Sequence, residues 1–242
     1  MVYYRDDLAH IHDAGHSAFV DGVAPNVVAL LRRAGIRRGL VVELGCGSGR
    51  LARALSAAGY EVLGFDLSSS MIRLARRTAS KARFRVGSAF SVRLPFCAAV
   101  VSVGETLNYL FDRQAGPAGL ARLFRQVAAI LPPGGMFLFD LAGPGQVAPP
   151  GTRQAHREGP GWATLLDAVE DRRRNLLTRR ITSFRRLGRG FRRTTEIHVQ
   201  RLYPASEVAR LLRGAGFSVM QRRGYGDFLV PPRHTVYLAR KR

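Results

Sequence analysis

Three glycines at alternate positions, Gly45, Gly47 and Gly49, follow an apolar run that ends in the acid Glu43. An amphipathic stretch begins directly afterwards, at Leu51. Glycine adopts positive φ at little cost and lets a backbone pass close to a ligand. A glycine-rich turn between a parallel strand and a helix can hold a nucleotide-like molecule against the backbone and the helix N-terminus. The spacing therefore predicts a strand, a ligand-binding turn and a helix.

Three further strand ends carry groups that suit the same kind of ligand. Asp66 ends a second apolar strand about 20 residues past the loop, where a carboxylate can accept both ribose hydroxyls. Ser88 and Ala89 lie in a turn after a third strand, and Gly104 and Glu105 end a fourth. Ligands of open α/β sheets bind at the carboxyl ends of the strands, so we expect these ends to converge on one crevice.

The ordered set of motifs resembles that of the class I S-adenosylmethionine (SAM) dependent methyltransferases. The resemblance covers nearly the whole chain, through residues 43–49, 66, 87–89, 131–135, 201–203 and 211–217. It implies an α/β fold with a Rossmann-like, seven-stranded, mostly parallel sheet and helices on both faces. It also implies an N-terminal helical lid and a β-rich cap inserted after the fifth strand. A nicotinamide dehydrogenase fits less well, because its G-x-G-x-x-G fingerprint needs glycine where this chain has Arg50.

The resemblance assigns SAM as the cofactor and indicates which residues contact it. It places the glycine loop on the amino-acid part of SAM, Asp66 on the ribose and Leu67 on the adenine. Glu43 would brace the loop or reach the amine through water. Many members of the family have Asp where this chain has Ser88, so the hydrogen bond at that position should be weaker. The expected cofactor contacts are Glu43, Gly45, Cys46, Gly47, Gly49, Asp66, Leu67, Met71, Ser88, Ala89 and Gly104.

SAM is a pre-activated methyl donor, so the protein mainly has to align a nucleophile with the methyl group. A general base is needed only when the acceptor is protonated in its resting state. The candidate bases are His12, Glu105 and His198. Glu105 could equally bind a substrate amine or be a helix-start carboxylate favoured by the helix dipole. Each histidine could equally be a packing or surface residue.

The expected substrate contacts lie in the N-terminal lid, one turn past the fourth strand, and in the cap: Tyr4, Asn108, Tyr109, Trp162, Glu196 and His198. Glu196 and His198 are two apart on a predicted strand and therefore share a face. An inward face would put this pair over the acceptor, and an outward face would make it an exposed pair. For Asn108 and Tyr109 the alternative is ordinary helix packing.

Together with the hydrophobic periodicity, the resemblance implies a single methyltransferase domain in four parts. These are a helical lid, a SAM-binding core, a β-rich cap, and a final helix with closing strands, at 1–38, 39–140, 141–203 and 204–242. Residues 3–35 are predicted to be helical, and Pro25 could open a second helix there. The remaining helices are predicted at 48–58, 68–79, 115–131 and 205–214.

Within the cap, residues 142–161 are rich in proline and glycine and are predicted to form a loop. Alternating apolar residues then predict strands at 162–169, 176–187 and 191–203. Two short strands, 219–221 and 235–239, are expected to close the sheet.

The 242 residues carry a net charge of +21, from 38 basic and 17 acidic residues. The densest basic stretch, 172–193, contains ten arginines and no acid. Such a stretch could neutralise the phosphates of RNA or an anionic ligand. The simpler interpretation is a set of solvated arginines. The resemblance implies a methyltransferase, and a cap that can enclose a small ligand predicts an O or N nucleophile of a small molecule as the acceptor. The alternatives are an RNA methyltransferase and a SAM-binding protein that transfers no methyl group.

No apolar run approaches the roughly 20 residues that span a bilayer, and residues 1–7 lack the layout of a signal peptide. The two cysteines, Cys46 and Cys97, are too few for a disulfide framework or a cysteine zinc site. We therefore expect a cytoplasmic protein with no metal and no membrane partner.

Overall fold

The computed structural model describes residues 3–148 and 151–242. Its strands in chain order are β1 (Leu40–Leu44), β2 (Glu61–Asp66), β3 (Arg83–Val86), β4 (Ala99–Ser102), β5 (Met136–Ala142), β6 (Thr152–Gly159), β7 (Trp162–Asp171), β8 (Leu176–Leu187), β9 (Gly190–Arg201), β10 (Phe217–Arg222), β11 (Gly224–Tyr225), β12 (Phe228–Leu229) and β13 (His234–Lys241). The helices are α1 (Asp6–Arg33), α2 (Arg50–Ala57), α3 (Ser69–Thr78), α4 (Pro117–Ile130) and α5 (Ala205–Gly214), with a short 3-10 turn at Thr106–Asn108.

A seven-stranded sheet in the order β10-β13-β5-β4-β1-β2-β3 forms the centre of the fold. Strand β13 runs antiparallel to both β5 and β10, and the other pairings are parallel. Helices α1, α2 and α3 pack on one face of the sheet, and α4 and α5 pack on the other. This arrangement confirms the predicted fold class.

Local sequence explains where the core elements begin. β1 and β5 are apolar and buried over most of their length, as expected for strands covered on both faces. The Ser68 hydroxyl caps α3 by accepting a hydrogen bond from Met71 N at 3.2 Å. Pro117 occupies the first turn of α4, where its missing N–H costs nothing.

A separate antiparallel sheet in the order β6-β7-β8-β9 follows β5, which confirms the predicted β-rich cap. It joins the core through a bridge between Tyr109 and Gln200 and a hydrogen bond from Leu110 N to Val199 O of 2.9 Å. The prediction of a loop over 142–161 is wrong for β6. All but the last of the β6 residues are exposed, so the strand has no apolar alternation and is recognisable only by its pairing with β7.

The helix α1 continues through Pro25, so no second helix begins there. Val23, Ala24 and Val27 are buried around the proline. Their packing against α2 and α3 offsets the roughly 3 kcal/mol that an interior proline costs a helix. Among the described residues, no helix is long and apolar enough to cross a membrane.

Candidate active site

The glycine loop joins β1 to α2 in a conformation that side chains disfavour. Gly45, Gly47 and Gly49 have φ values of 71°, 50° and 81°. The amides of Gly45 and Cys46 donate to Phe65 O at 2.7 and 2.9 Å, which fixes the loop against the end of β2. A Cβ on Gly49 would lie 2.9 Å from the Cα of Ala75, so glycine at this position allows α2 and α3 to pack closely.

Two carboxylates lie beneath the loop, Glu43 buried and Asp66 partly buried. Asp66 accepts from Gly47 N at 2.9 Å and from Ser68 N at 2.8 Å. Burial nevertheless raises the pKa of Asp66 to about 6, with the two amides opposing the shift. Burial, with a smaller effect of Asp66, raises the pKa of Glu43 well above its usual range. The Glu43 Oε2 atom has no hydrogen-bond partner among the described residues.

A cavity of about 1050 Å³ runs from this loop to the inner face of the cap. Ten of the eleven expected cofactor contacts line it: Glu43, Gly45, Cys46, Gly47, Asp66, Leu67, Met71, Ser88, Ala89 and Gly104. Gly49 lies behind the loop, against α3, and does not line the cavity. The strand ends therefore converge on one crevice as the sequence predicts.

Glu105 lies at the end of β4, where the cavity meets the cap. It adopts a left-handed conformation, with φ at 55°. Asp140 holds this turn by accepting from Gly104 N at 2.7 Å and from Glu105 N at 2.9 Å. The Glu105 carboxylate pairs with the Arg179 guanidinium and lies 3.0 Å from His234 Nε2. Burial opposes its ionisation, but Arg179 and His234 together lower the pKa of Glu105 to about 2.

His234 is a member of this cluster that the sequence analysis missed. Its Nδ1 lies 3.2 Å from Pro232 O, and its Nε2 lies beside the Glu105 carboxylate. Both partners accept hydrogen bonds, an arrangement that favours the doubly protonated ring of His234. Burial lowers the pKa of His234, but the bond to Glu105 outweighs burial and raises the pKa overall.

The N-terminal segment closes one side of the cavity. Glu196 accepts from Tyr4 N at 2.8 Å and from Arg5 N at 2.9 Å, and Ser68 Oγ donates to Tyr4 O at 2.7 Å. The Tyr4 hydroxyl lies 3.1 Å from that of Tyr109. The segment therefore links the cap to the core, and the ring of Tyr4 faces the cavity.

The predicted catalytic and substrate residues separate into two groups. Tyr4, His12, Glu105 and Tyr109 line the cavity, and Asn108, Trp162, Glu196 and His198 do not. The ring of His12 lies 5.3 Å from that of Tyr4.

The residues outside the cavity support the structure around it. The buried side chain of Asn108 donates to Ala142 O at 2.9 Å and to Arg201 O. A Cβ on Gly15 would lie 2.4 Å from Trp162, so this tryptophan packs on α1. His198 is fully buried and bonds Glu196 at 2.9 Å, behind the ring of Tyr4. These four residues therefore lie beside the cavity and do not line it.

Across 3–148 and 151–242, no group of three or more His, Cys, Asp or Glu side chains could hold a metal ion.

Comparisons with known proteins agree with this geometry. Residues 41–135 match the family model described as "Methyltransferase domain". The chain is 26% identical over 193 residues to the protein named "Putative methyltransferase YqeM" of Bacillus subtilis (strain 168), covering 75% of this chain and 74% of that protein. Residues 41–135 therefore form a methyltransferase domain, and the fold and these similarities together support a class I SAM-dependent methyltransferase with SAM as the cofactor.

Solved structures share the fold along almost the whole chain. A SAM-dependent methyltransferase from Clostridium acetobutylicum ATCC 824 has a TM-score of 0.80 at 20% identity and covers 96% of this chain and 97% of its own. The sugar N-methyltransferase KedS8 from Streptoalloteichus sp ATCC 53650 has a TM-score of 0.75 at 21% identity, covering 96% of this chain and 91% of its own.

Proposed function

We propose that this methyltransferase acts on an O or N nucleophile of a small molecule bound between the core and the cap. One observation carries the proposal: a single cavity is lined both by the glycine loop with Asp66 and by the inner face of the cap. A cavity of this size can enclose a cofactor and a small acceptor together and exclude water from them.

The residues at the loop end of the cavity suit SAM. Gly45 and Gly47 let the backbone approach a ligand, and Asp66 presents a carboxylate for ribose hydroxyls. The unpartnered oxygen of Glu43 is suited to an ammonium group or a water bound to one. Leu67, Met71 and Ala89 provide apolar contacts for a base. When bound, SAM supplies a methyl group made electrophilic by its sulfonium.

The cap end of the cavity suits the acceptor. Tyr4, Tyr109 and His12 form a wall there, and His12 is the best-placed proton acceptor among the predicted bases. Glu105 is a weak proton acceptor because its pKa is about 2. We assign Glu105 an electrostatic role, in which it holds Arg179 and His234 in place.

The choice of a small acceptor has support outside the site. KedS8, which shares this fold over most of both chains, is described as a sugar N-methyltransferase. A hydroxyl or an amine of a compact polar metabolite would fit a cavity whose walls carry both tyrosine hydroxyls and apolar side chains.

The test is transfer of labelled methyl from SAM into host-cell extract, with and without nuclease treatment, followed by separation by size. We expect label in the small-molecule fraction, unaffected by nuclease. Label in large, nuclease-sensitive material would replace this proposal with an RNA methyltransferase. SAM binding without any labelled product, across extracts of different growth conditions, would indicate a non-catalytic SAM-binding protein.

A further inference from the structure

The strand register defines three rows of side chains on the inner face of the cap. Residues directly opposite each other on neighbouring antiparallel strands point to the same face. From β6 to β9, the rows are Arg157–Thr164–Ser183–Thr194, Ala155–Leu166–Ile181–Glu196 and Arg153–Ala168–Arg179–His198.

The two ends of these rows have different surroundings. At the β9 end, Tyr4 and Arg5 of the N-terminal segment cover Glu196 and His198. From β6 to β8, the middle row lines the cavity through Ala155, Leu166 and Ile181. The chain therefore covers part of this face itself and leaves the remainder to a ligand.

The open part of the face is an apolar strip with cationic groups beside it. Ala155, Leu166 and Ile181 form the strip, and Arg153 and Arg157 lie two residues to either side of Ala155 on β6. Residues four apart on a strand are about 13 Å from each other, so both arginines can reach a group above Ala155. Arg153 is exposed and makes no ion pair with any described residue.

The acids of the cavity lie on the side away from the cap, where Arg50 and Arg233 also line it. Its acidic lining residues come from the core and α1: Asp13, Glu43, Asp66, Glu105, Asp112 and Asp140. The cap contributes Arg153, Arg157 and Arg179 and no acid among the described residues. Guanidinium groups bind phosphate and carboxylate through paired hydrogen bonds. The cap end therefore favours an anion, and the loop end does not.

We infer that the methyl acceptor carries an anionic group, a phosphate or a carboxylate, that Arg153 and Arg157 bind while a flat apolar part of the molecule rests on Ala155, Leu166 and Ile181. This inference rests on the proposed function, since it names the acceptor class of the same cavity. It assigns recognition of the acceptor to β6, which is the edge strand of the cap.

The test compares by calorimetry four small probes that share one phenyl ring: phenyl phosphate, benzoate, phenol and benzylamine. We expect phenyl phosphate or benzoate to bind at least tenfold more tightly than phenol, and benzylamine to bind most weakly. The anion that binds more tightly identifies the anionic group of the acceptor. The preference should disappear in Arg153→Gln/Arg157→Gln and persist in Arg180→Gln, whose arginine lies exposed on the opposite face of β8.

Two results would overturn the inference: phenol binding as tightly as both anions, or an unchanged preference in the double variant. Ile181→Ser provides an independent check, because it should weaken phenol and phenyl phosphate by the same factor. SAM binding, measured separately on every protein, distinguishes the two proposals. Wild-type protein that prefers the anions but binds no SAM would leave the anion site standing and overturn the proposed function.

Discussion

At the scale of single residues, the site depends on two partly buried carboxylates, Asp66 and Glu105, whose pKa values the surroundings shift in opposite directions. Asp66 has a raised pKa because burial outweighs two amide hydrogen bonds. Glu105 has a lowered pKa because two cations outweigh burial. Asp66 therefore titrates near neutrality, and Glu105 stays ionised throughout the working range of pH.

The first prediction concerns Asp66 and SAM affinity. An ionised Asp66 accepts ribose hydroxyls best, so affinity should fall as pH drops through about 6, by up to about tenfold per unit below that value. Asp66→Asn should weaken binding by roughly 1 to 3 kcal/mol at pH 7.5 and flatten this dependence. Calorimetry between pH 5 and 8 measures both effects.

Glu61→Gln, at the exposed opposite end of β2, is the control. A folded Asp66→Asn protein with unchanged affinity would remove Asp66 from the cofactor site.

The second prediction concerns Glu105 and stability. Glu105→Gln leaves Arg179 and His234 partly buried without their counter-ion, which should cost about 3 to 5 kcal/mol of unfolding free energy. The pKa of Glu105 is lower in the folded than in the unfolded protein. Its stabilisation is therefore present above about pH 4.5 and is lost as pH falls towards 2. Urea unfolding of Glu105→Gln, Arg179→Gln and the double variant measures the coupling. If the stability losses of the two single variants simply add up in the double variant, Glu105 and Arg179 are not coupled.

At the scale of elements, the sequence predicts best where apolar periodicity is strong. Helix α5 was expected at 205–214 and occupies those residues. Strand β6 was missed because its sequence, Thr-Arg-Gln-Ala-His-Arg-Glu-Gly, has no buried face and only its pairing with β7 makes it a strand.

Site residues follow a similar division. The glycine loop and Asp66 are local motifs at strand ends, and the sequence is sufficient to find them. His234 lies 129 residues from its partner Glu105, and the contact exists only because β13 pairs with β5. The roles of Asn108 and His198 likewise depend on tertiary hydrogen bonds that spacing along the chain does not reveal.

The third prediction concerns the attachment of the N-terminal segment to the cap. Glu196 accepts two backbone amides of this segment and one histidine nitrogen. Hydrogen bonds to a charged acceptor contribute roughly 1.5 to 3 kcal/mol, so Glu196→Gln should speed amide exchange of residues 4–12 by about tenfold or more. Hydrogen–deuterium exchange with mass spectrometry measures the rate. Glu158→Gln, at an exposed position of β6, should leave it unchanged. Equal protection in both variants would mean that Glu196 does not hold the segment.

At the scale of the whole molecule, the charge is large and uneven. Residues 1–140 contain 17 basic and 10 acidic side chains, and residues 141–242 contain 21 and 7. Some of this charge is offset locally: Asp7 pairs with both Arg185 and Arg192 and balances one of their two positive charges. The remaining excess repels itself in the compact state.

The fourth prediction concerns this repulsion. Raising NaCl from about 10 to 100 mM shortens the Debye length from about 30 to about 10 Å, which should stabilise the protein. A gain of about 1 kcal/mol would raise Tm by roughly 2 to 4 °C for a chain of this size. Scanning calorimetry measures the shift, and KCl should reproduce it. A lower Tm in salt would show that screening weakens the stabilising ion pairs more than it relieves the charge repulsion.

The reversed direction of β13 has a consequence for biosynthesis. In this mostly parallel sheet, β13 brings its first residue, His234, and the preceding residues 231–233 to the edge where the other strands bring their last. The cavity wall therefore includes residues that the ribosome adds only after the glycine loop and the cap. A nascent chain stopped before residue 231 would have its glycine loop and cap but would lack part of the wall, and β13 would be missing between β5 and β10. Activity should therefore appear only after β13 has left the ribosome exit tunnel and inserted into the sheet.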